Sequence, residues 1–210
     1  MRDSRTIAVE TLGPNDDVPA AVDVIAAALR DEPGFASVIP DTQQRAAVMH
    51  TFLGLLLRDA LPLGNVWVAR IGGKIIGTAI WYAPGDYPMT VWRNLRMVPG
   101  MLPLVRFGFG TMRGLMQMGE NVSSHFPEQP CWYLAALGVA PEHQGAGAGS
   151  ALMDTVLEEI DRRGEPAYLE TSVERNVRFY QRLGFEIREP AIRIAPPPGP
   201  THWTMWRVPQ

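Results

Sequence analysis

The spacing of apolar residues along the chain alternates between the two-residue period of strands and the three-to-four-residue period of helices. In the N-terminal half, alternation predicts a strand over residues 6–12, and helical spacing predicts helices over residues 17–29 and from Asp41 to about residue 60. Asn15 or Asp16 is expected to cap the first helix, Asp41 to cap the second, and Pro33-Gly34 to end the first. Segments 65–71 and 74–82 flank Gly72-Gly73, which predicts a β-hairpin because glycine adopts the positive φ angles of a two-residue turn.

The C-terminal half combines one long apolar run with alternating helices and strands. The run, residues 131–139, is bounded by prolines and predicts a buried central strand. Helices are predicted over residues 149–164 and 174–183, and strands over residues 167–172, 185–194 and 203–208. Between the hairpin and the central strand, residues 84–130 predict a helical insert with helices over residues 91–98 and 104–118. The order predicts one domain, residues 1–210, of the α/β (α+β) class, with a mixed sheet.

Composition and charge exclude several classes of protein. The 210 residues carry 19 basic and 22 acidic side chains, a net charge of −3, which argues against a protein that coats nucleic acid. The single cysteine, Cys131, excludes an internal disulfide and a four-cysteine metal site. Runs free of charged residues reach 13 positions, short of the ~18 that a spanning helix needs, and the polar N-terminus does not resemble a signal peptide. We therefore expect a cytoplasmic protein that contacts neither nucleic acid nor membrane.

The sharpest local motif is a glycine-rich loop between the central strand and the helix that follows it. Gly145, Gly147 and Gly149 carry no Cβ, so successive amides can turn toward one point and an anion can approach them closely. The free N–H groups of the next helix converge on the same place, which predicts a pyrophosphate site. The dinucleotide pattern fails at Ser150, and the phosphate-loop pattern fails because it lacks a lysine. Taken alone, the loop is equally consistent with a structural turn.

Two signatures give the chain a family resemblance. Gln144-x-x-Gly147-x-Gly149, which follows the strand end at Val139, resembles the acyl-CoA loop of the GNAT superfamily of N-acyltransferases. The stretch from Asn176 through Tyr180 to Phe185 resembles the family's helix that carries an asparagine and a tyrosine general acid. Further matches, such as Trp132-Tyr-Leu-Ala and Leu169-Glu-Thr-Ser, are similar to the puromycin N-acetyltransferase branch. The resemblance implies a GNAT-like central mixed sheet of about seven strands, flanked by helices, with the helical insert before the central strand.

The same resemblance implies a donor site for acetyl-CoA. The loop would hold the pyrophosphate, and the edge of the central strand would pair with the pantetheine amides. Asn176 is either a partner of the cofactor or a helix cap, and Tyr180 is either the acid that protonates the departing thiolate or a core aromatic residue. The implied donor-binding residues are Leu137, Gly138, Val139, Gln144, Gly145, Ala146, Gly147, Ala148, Gly149, Ser150, Asn176 and Tyr180.

The general base is less well defined by the sequence. Some family members carry a glutamate on the central strand, and this chain has Tyr133 roughly at that place. Glu170 is the best replacement for that glutamate. An equally weighted interpretation is that Glu170 is a salt-bridged carboxylate at the rim of the site. A water chain could also remove the proton, because an α-amine has a pKa of only ~8. The four histidines have no metal-ligand spacing, so no metal is expected. Cys131 is interpreted as a structural thiol.

These features predict an acetyl-CoA-dependent N-acetyltransferase acting on a small primary amine, in a monomer or a homodimer. The acceptor is expected between residues 17–60 and the insert, and to have an apolar or aromatic body. Its pocket would be walled by Tyr87, Trp92, Met97, Met101, Phe107, Phe109 and Met116. A protein or peptide acceptor is the alternative, and an acidic peptide would suit Arg93, Arg96, Arg106 and Arg113. A non-catalytic CoA-binding sensor is the further alternative.

Overall fold

A seven-stranded mixed sheet forms the centre of the molecule, in the order β1-β2-β3-β4-β5-β7-β6. The computed structural model describes residues 6–195 and 197–210. Neighbouring strands are antiparallel except for β4 and β5, which are parallel. The strands are β1 (Ala8–Thr11), β2 (Val66–Ile71), β3 (Lys74–Tyr82), β4 (Trp132–Val139), β5 (Ala167–Thr171), β6 (Glu186–Ile192) and β7 (His202–Arg207). The predicted fold class is confirmed, and the apolar run occupies the middle strand, β4.

Helices cover both faces of this sheet. They are α1 (Val18–Leu29), α2 (Pro33–Val38), α3 (Thr42–Ala60), α4 (Val91–Met101), α5 (Phe109–His125), α6 (Ala148–Arg163) and α7 (Glu174–Gln181). On one face, α1 and α3 bury Ile25 and Leu57 against the sheet. On the other face, α6 buries Leu152 and Ile160. Both faces of β4 are therefore covered, as its uninterrupted apolar sequence requires.

Two short-range signals have the predicted outcome. Gly72 and Gly73 adopt φ angles of 57° and 85° in the turn between β2 and β3. The carboxylate of Asp41 caps α3 by accepting a hydrogen bond from the Gln44 amide at 2.7 Å. These signals depend only on residues close in sequence, and tertiary packing leaves them unchanged.

The structure corrects the prediction around α1 and α2. The cap of α1 is Asp17, whose carboxylate accepts from the Ala20 amide at 3.0 Å, so the prediction of Asn15 or Asp16 was wrong. Pro33-Gly34 does not only end a helix, because it also begins the short helix α2. Proline fits the first turn of a helix, where its missing N–H would have no partner.

One stretch within the described residues, Thr42–Leu63, is long and apolar enough by composition to cross a bilayer. It includes α3, whose Val48, Met49, Leu53 and Leu57 are buried in the protein interior. Packing against α1 and the sheet accounts for this apolar composition, as in the core helix of a globular domain.

Helix α1 approaches the backbone of β4 closely at Gly138. A Cβ atom added there would lie 2.7 Å from Cβ of Ala28 and 3.2 Å from Cα of Ile25. Real Cβ atoms do not tolerate the shorter distance, so only glycine allows α1 to lie this near the strand. The contact places the C-terminal end of α1 beside the open part of the sheet.

That opening lies between the parallel strands β4 and β5. They pair at only two positions, Trp132 with Ala167 and Tyr133 with Tyr168, and then separate. On its other edge β4 stays paired with β3, where the register shifts and leaves Ala135 as an extra residue. Residues 134–139 of β4 therefore have no β5 partner, and a gap opens in the middle of the sheet.

Candidate functional site

A cavity of ≈ 240 Å³ lies where β4 and β5 separate. Its lining comes from five parts of the fold: the region from the end of α1 through α2, the middle of α3, the insert, the β4–β5–α7 region, and the β6–β7 region, which contributes Ile194 and His202. It thus lies between residues 17–60 and the insert, where the acceptor was expected. Its wall is mainly apolar, and the described lining residues include no lysine or arginine.

The insert contributes a different apolar wall from the one expected. Among the seven residues proposed for that wall, Tyr87 lines the cavity, whereas Trp92, Phe109 and Met116 are exposed at the surface. The helical period explains the difference: one face of α5 turns toward the cavity, and Met116 lies on another side. The α5 residues that line the cavity are Leu115, Met118, Gly119 and Val122.

Glu170 projects from β5 into this cavity. Its Oε1 atom is shielded from solvent and has no hydrogen-bond partner within residues 6–195 and 197–210. Burial raises the pKa of Glu170 to about 7, and the nearby hydroxyls of Tyr168 and Tyr133 counteract this in part by stabilising the carboxylate. A carboxyl group with this pKa is divided between its acid and base forms at neutral pH. It is therefore suited to proton transfer.

A cluster of aromatic rings surrounds Glu170. The ring of Tyr133 lies 4.6 Å from that of Tyr87, 5.4 Å from that of Phe126 and 6.0 Å from that of Tyr168. Burial raises the pKa of Tyr87 to about 12, and burial together with the charge of Glu170 raises the pKa values of Tyr133 and Tyr168. These phenols stay neutral, so they surround the carboxylate without adding negative charge to its environment.

Tyr180 and Asn176 reach the same cavity from α7. Tyr180 packs between Phe179 and Phe185, with ring centroids 5.1 Å and 5.9 Å away. It is therefore both a core aromatic residue and a residue that lines the cavity. Burial raises the pKa of Tyr180 above its ordinary value, which keeps the phenol protonated. Asn176 lies inside the helix, since Val173 is the cap, so its interpretation as a helix cap was wrong.

The glycine loop has the open geometry that an anion site needs. Gly145 and Gly147 adopt φ angles of 80° and 90°, and a Cβ at either position would meet no atom within 4 Å. Gly147 is the N-cap of α6, and no side chain accepts from the amides of its first turn. A Cβ at Gly149 would touch Val139 and Phe179, so the loop packs beside the helix that carries Tyr180.

A second carboxylate in the cavity, Glu32, was not identified from the sequence. One of its oxygens caps α2 by accepting from the Phe35 amide at 3.0 Å. The other accepts from the Ser172 hydroxyl and lies 4.0 Å from Nε2 of His202. Burial lowers the pKa of His202, against the opposing effect of Glu32. The available signal was a glutamate directly before a proline, which is the pattern of a capped helix start.

Arg45 holds the segment that carries Glu32. This side chain is buried on α3 and donates to the carbonyls of Arg30 at 2.7 Å and Ile39 at 2.7 Å. It also bonds to the Asp31 carboxylate at 2.9 Å. One guanidinium therefore fixes both ends of the α2 segment, and with them the position of Glu32.

Cys131 lies next to the cavity but is not a nucleophile. It is buried just before β4, and burial raises the pKa of its thiol to about 12. The thiol stays protonated at neutral pH, and a protonated thiol is a poor nucleophile.

Comparison with known proteins identifies the same architecture. The model of the acetyltransferase (GNAT) family matches residues 35–185. A structure described as histone acetyltransferase HPA2 and related acetyltransferase, from Corynebacterium glutamicum, has a TM-score of 0.71 and 25% identity, with 98% of this chain and 97% of that chain covered. The Drosophila melanogaster polyamine N acetyltransferase has a TM-score of 0.66 and 20% identity, with 97% of this chain and 100% of that chain covered. The arylalkylamine N-acetyltransferase 2 of Aedes aegypti has a TM-score of 0.56 and 16% identity, with 98% of this chain and 100% of that chain covered.

Two curated relatives are longer than the matched region. A probable serine/threonine-protein kinase of Dictyostelium discoideum is 25% identical over 192 residues, which are 82% of this chain and 20% of that protein. An uncharacterized N-acetyltransferase of Schizosaccharomyces pombe is 27% identical over 119 residues, which are 54% of this chain and 48% of that protein. The chain thus spans half or less of the length of these relatives.

Proposed function

The chain belongs to the acetyltransferase (GNAT) family, and from this premise we propose that it transfers an acetyl group from acetyl-CoA to a small primary amine with an apolar or aromatic body. The family uses acetyl-CoA as its acyl donor. The observation that carries the proposal is the cavity at the β4–β5 gap, where Glu170 and Tyr180 both line a mainly apolar wall whose described residues include no lysine or arginine. The puromycin branch and the cytoplasmic location stay predictions.

The open edge of β4 fits the donor. Residues 134–139 lack a β5 partner, so backbone groups on this edge can bind the pantetheine amides as an added strand would. The Val139 carbonyl already accepts from the Gln144 side-chain amide at 3.2 Å. Leu137, Gly138 and Val139 lie on this edge. Beyond it, the amides of residues 144–150 and the open space at Gly145 and Gly147 suit a pyrophosphate. Asn176 lies close enough to the gap to contact the donor.

Glu170 and Tyr180 suit the two proton transfers of the reaction. Glu170 accepts the proton of the acceptor ammonium, and the freed amine nitrogen attacks the thioester carbonyl. As the carbon–sulfur bond breaks, Tyr180 donates its proton to the departing thiolate. The nitrogen loses its second proton as the amide forms, and this proton restores the Tyr180 phenol, so the products are the amide, the CoA thiol and the proton held by Glu170. The environments of the two side chains support these assignments, because burial leaves Glu170 half ionised near pH 7 and keeps Tyr180 protonated.

The lining of the cavity favours a small apolar amine as acceptor. Phe35, Phe52 and Leu56 supply apolar surface, and Glu32 with Glu170 supply negative charge that attracts a cationic amine. A peptide acceptor is the second candidate, and its charge would have to be complementary to the same two carboxylates. This disfavours the acidic peptide suggested by the insert arginines. The presence of both Glu170 and Tyr180 in the lining of one cavity supports catalysis over a non-catalytic sensor.

The proposal is tested by release of CoA thiol from acetyl-CoA against a panel of amines. The panel contains arylalkylamines, puromycin, spermidine, aminoglycosides and peptide α-amines. We expect the highest kcat/KM for amines with an apolar or aromatic body, because the wall binds such bodies by burial. Efficient acetylation of aminoglycosides with none of apolar amines would refute this acceptor class, and thiol release with no member would refute the enzyme assignment.

Gly147→Val tests the phosphate site. The substitution places a side chain in the open space of the loop and forces a strained φ of 90°. We expect CoA affinity to fall by about 100-fold or more, since the loss of two charge-assisted hydrogen bonds has that effect. Gly64→Val is the matched control, because Gly64 also has a positive φ of 73° and open space around it. Wild-type affinity of Gly147→Val in calorimetry would place the pyrophosphate elsewhere.

Tyr180→Phe tests the acid. It removes the hydroxyl while the ring stays between Phe179 and Phe185, so kcat should fall about 10²–10⁴-fold with little change in the KM for acetyl-CoA. The matched control is Tyr82→Phe, because Tyr82 is also buried but its hydroxyl bonds to Asp59, away from the cavity. If kcat is unchanged in Tyr180→Phe while chemistry limits the rate, Tyr180 serves only in packing.

Glu170→Gln tests the base through the pH dependence of kcat/KM. In the wild type the rate should rise with pH through about 7, as Glu170 loses the proton that blocks it. In Glu170→Gln this limb should disappear and the rate should fall about 10²–10⁴-fold. His202→Gln is the control, since the lowered pKa of His202 places its titration at lower pH. A limb near 7 that survives in Glu170→Gln would favour a water chain as the base.

A further inference from the structure

The insert carries most of the exposed apolar surface of the protein. Eleven large apolar side chains are exposed within the described residues, and eight of them lie between Val91 and Met116. Trp92 and Phe109 are 78% and 81% exposed. The eight residues are Val91, Trp92, Leu95, Val98, Leu102, Val105, Phe109 and Met116, and we name them the insert surface.

The orientation of α4 explains why these residues face outward. Arg93 holds the inner side of the helix, because its guanidinium bonds to the Asp59 carboxylate on α3 and to the Asp86 carbonyl. Gly100 also lies on the inner side, directly against Leu55 of α3. Away from these two contacts, Trp92, Leu95 and Val98 of α4 are exposed.

Charge in this region is strongly one-sided. Residues 87–119 contain four arginines and no aspartate or glutamate, although the whole chain has a net charge of −3. Arg93 is neutralised by Asp59, whereas Arg96, Arg106 and Arg113 are exposed. The insert surface therefore combines exposed apolar side chains with three exposed arginines that have no acidic partner among the described residues.

We propose that the insert surface binds the face of an anionic lipid bilayer, without crossing it. Exposed tryptophan and phenylalanine with flanking arginines is the composition of segments that lie in the interface between headgroups and acyl chains. The arginines bind the anionic headgroups while the apolar side chains enter the interface. At 11 residues, α4 is about 16 Å long and too short to span a bilayer. This departs from the expectation of no membrane contact, which was based only on spanning segments and signal peptides.

A second copy of the chain fits the insert surface less well. A two-fold interface places the same patch of each subunit against the other, so the exposed arginines would face one another. The segment offers no acidic residue to pair with them. Nucleic acid would bind the arginines but would leave the apolar side chains of the insert surface exposed to water. A bilayer accommodates both kinds of group at once.

The test is co-sedimentation of the full chain with vesicles. We expect binding to vesicles of phosphatidylcholine with phosphatidylglycerol, little binding to pure phosphatidylcholine, and weaker binding in about 0.5 M salt. Trp92→Ala with Phe109→Ala should weaken binding about tenfold or more through lost apolar burial. The triple variant Arg96→Gln, Arg106→Gln and Arg113→Gln should weaken vesicle binding by about 100-fold, since each arginine near an anionic surface raises the affinity about fivefold.

Matched controls place comparable changes elsewhere on the surface. The double variant Ile187→Ala and Val208→Ala removes two exposed apolar side chains. The triple variant Arg162→Gln, Arg163→Gln and Arg178→Gln removes three exposed arginines. Both controls should bind like the wild type, and thermal melting shows that each variant is folded.

No binding to anionic vesicles, or equal loss in the controls, would refute the proposal. A wild-type dimer in sedimentation that Trp92→Ala dissociates would assign the insert surface to a second copy instead. None of these outcomes depends on acetyl transfer.

Discussion

The separation of β4 from β5 is the constraint on which the rest of the site depends. Two strands that remained paired along their length would satisfy each other's backbone groups and close the sheet. Here pairing stops after Tyr133 and Tyr168, and an extra residue at Ala135 shifts the register of β4 against β3 at the same level. The gap exposes backbone donors and acceptors in the centre of the fold, where unpaired polar groups are unfavourable. A ligand that pairs with them is stabilised by the fold itself.

The gap also determines the electrostatics of Glu170. Its carboxyl lies in an apolar region among neutral phenols, and the described lining of the cavity provides no cation to hold it ionised. An arginine at this place would lower the pKa and weaken the group as a base, whereas a fully apolar surrounding would keep it protonated. The hydroxyls of Tyr133 and Tyr168 offset the effect of burial only in part, so the pKa of Glu170 lies between these two limits, at about 7. Tyr180, which lines the same cavity from α7, lies where burial raises its pKa, so the cavity holds one group that can accept a proton and one that stays protonated.

Local signals in the sequence were sufficient for much of the fold. The Gly72-Gly73 turn, the Asp41 cap and the apolar run of β4 each depend on a few neighbouring residues, and each was predicted. Helix α2 was missed because Pro33-Gly34 was interpreted only as a break, although a proline with a capping Glu32 before it also begins a helix. A cavity lies where the acceptor was expected, but most of its wall was not predicted. Composition identified aromatic residues in the insert without showing which side of each helix faces inward.

Residues brought together from distant parts of the chain lay beyond sequence reasoning. Motifs pointed to Glu170, Asn176 and Tyr180, and all three line the cavity. Glu32, Ser172 and His202 come from three separate elements, and their meeting depends on how α2 packs over the ends of β5 and β7. No spacing in the sequence encodes that meeting.

The buried side chain of Arg45 has a consequence for how this pocket can diversify. It ties down the main chain on both sides of α2 through the carbonyls of Arg30 and Ile39, groups that every amino acid possesses. The path of the segment therefore does not depend on every side chain between those two carbonyls. Glu32, Pro33 and Gly34 are needed for the start of α2, whereas Phe35, which lines the cavity, can be exchanged by evolution or by a protein engineer to reshape the cavity without redesigning the sheet.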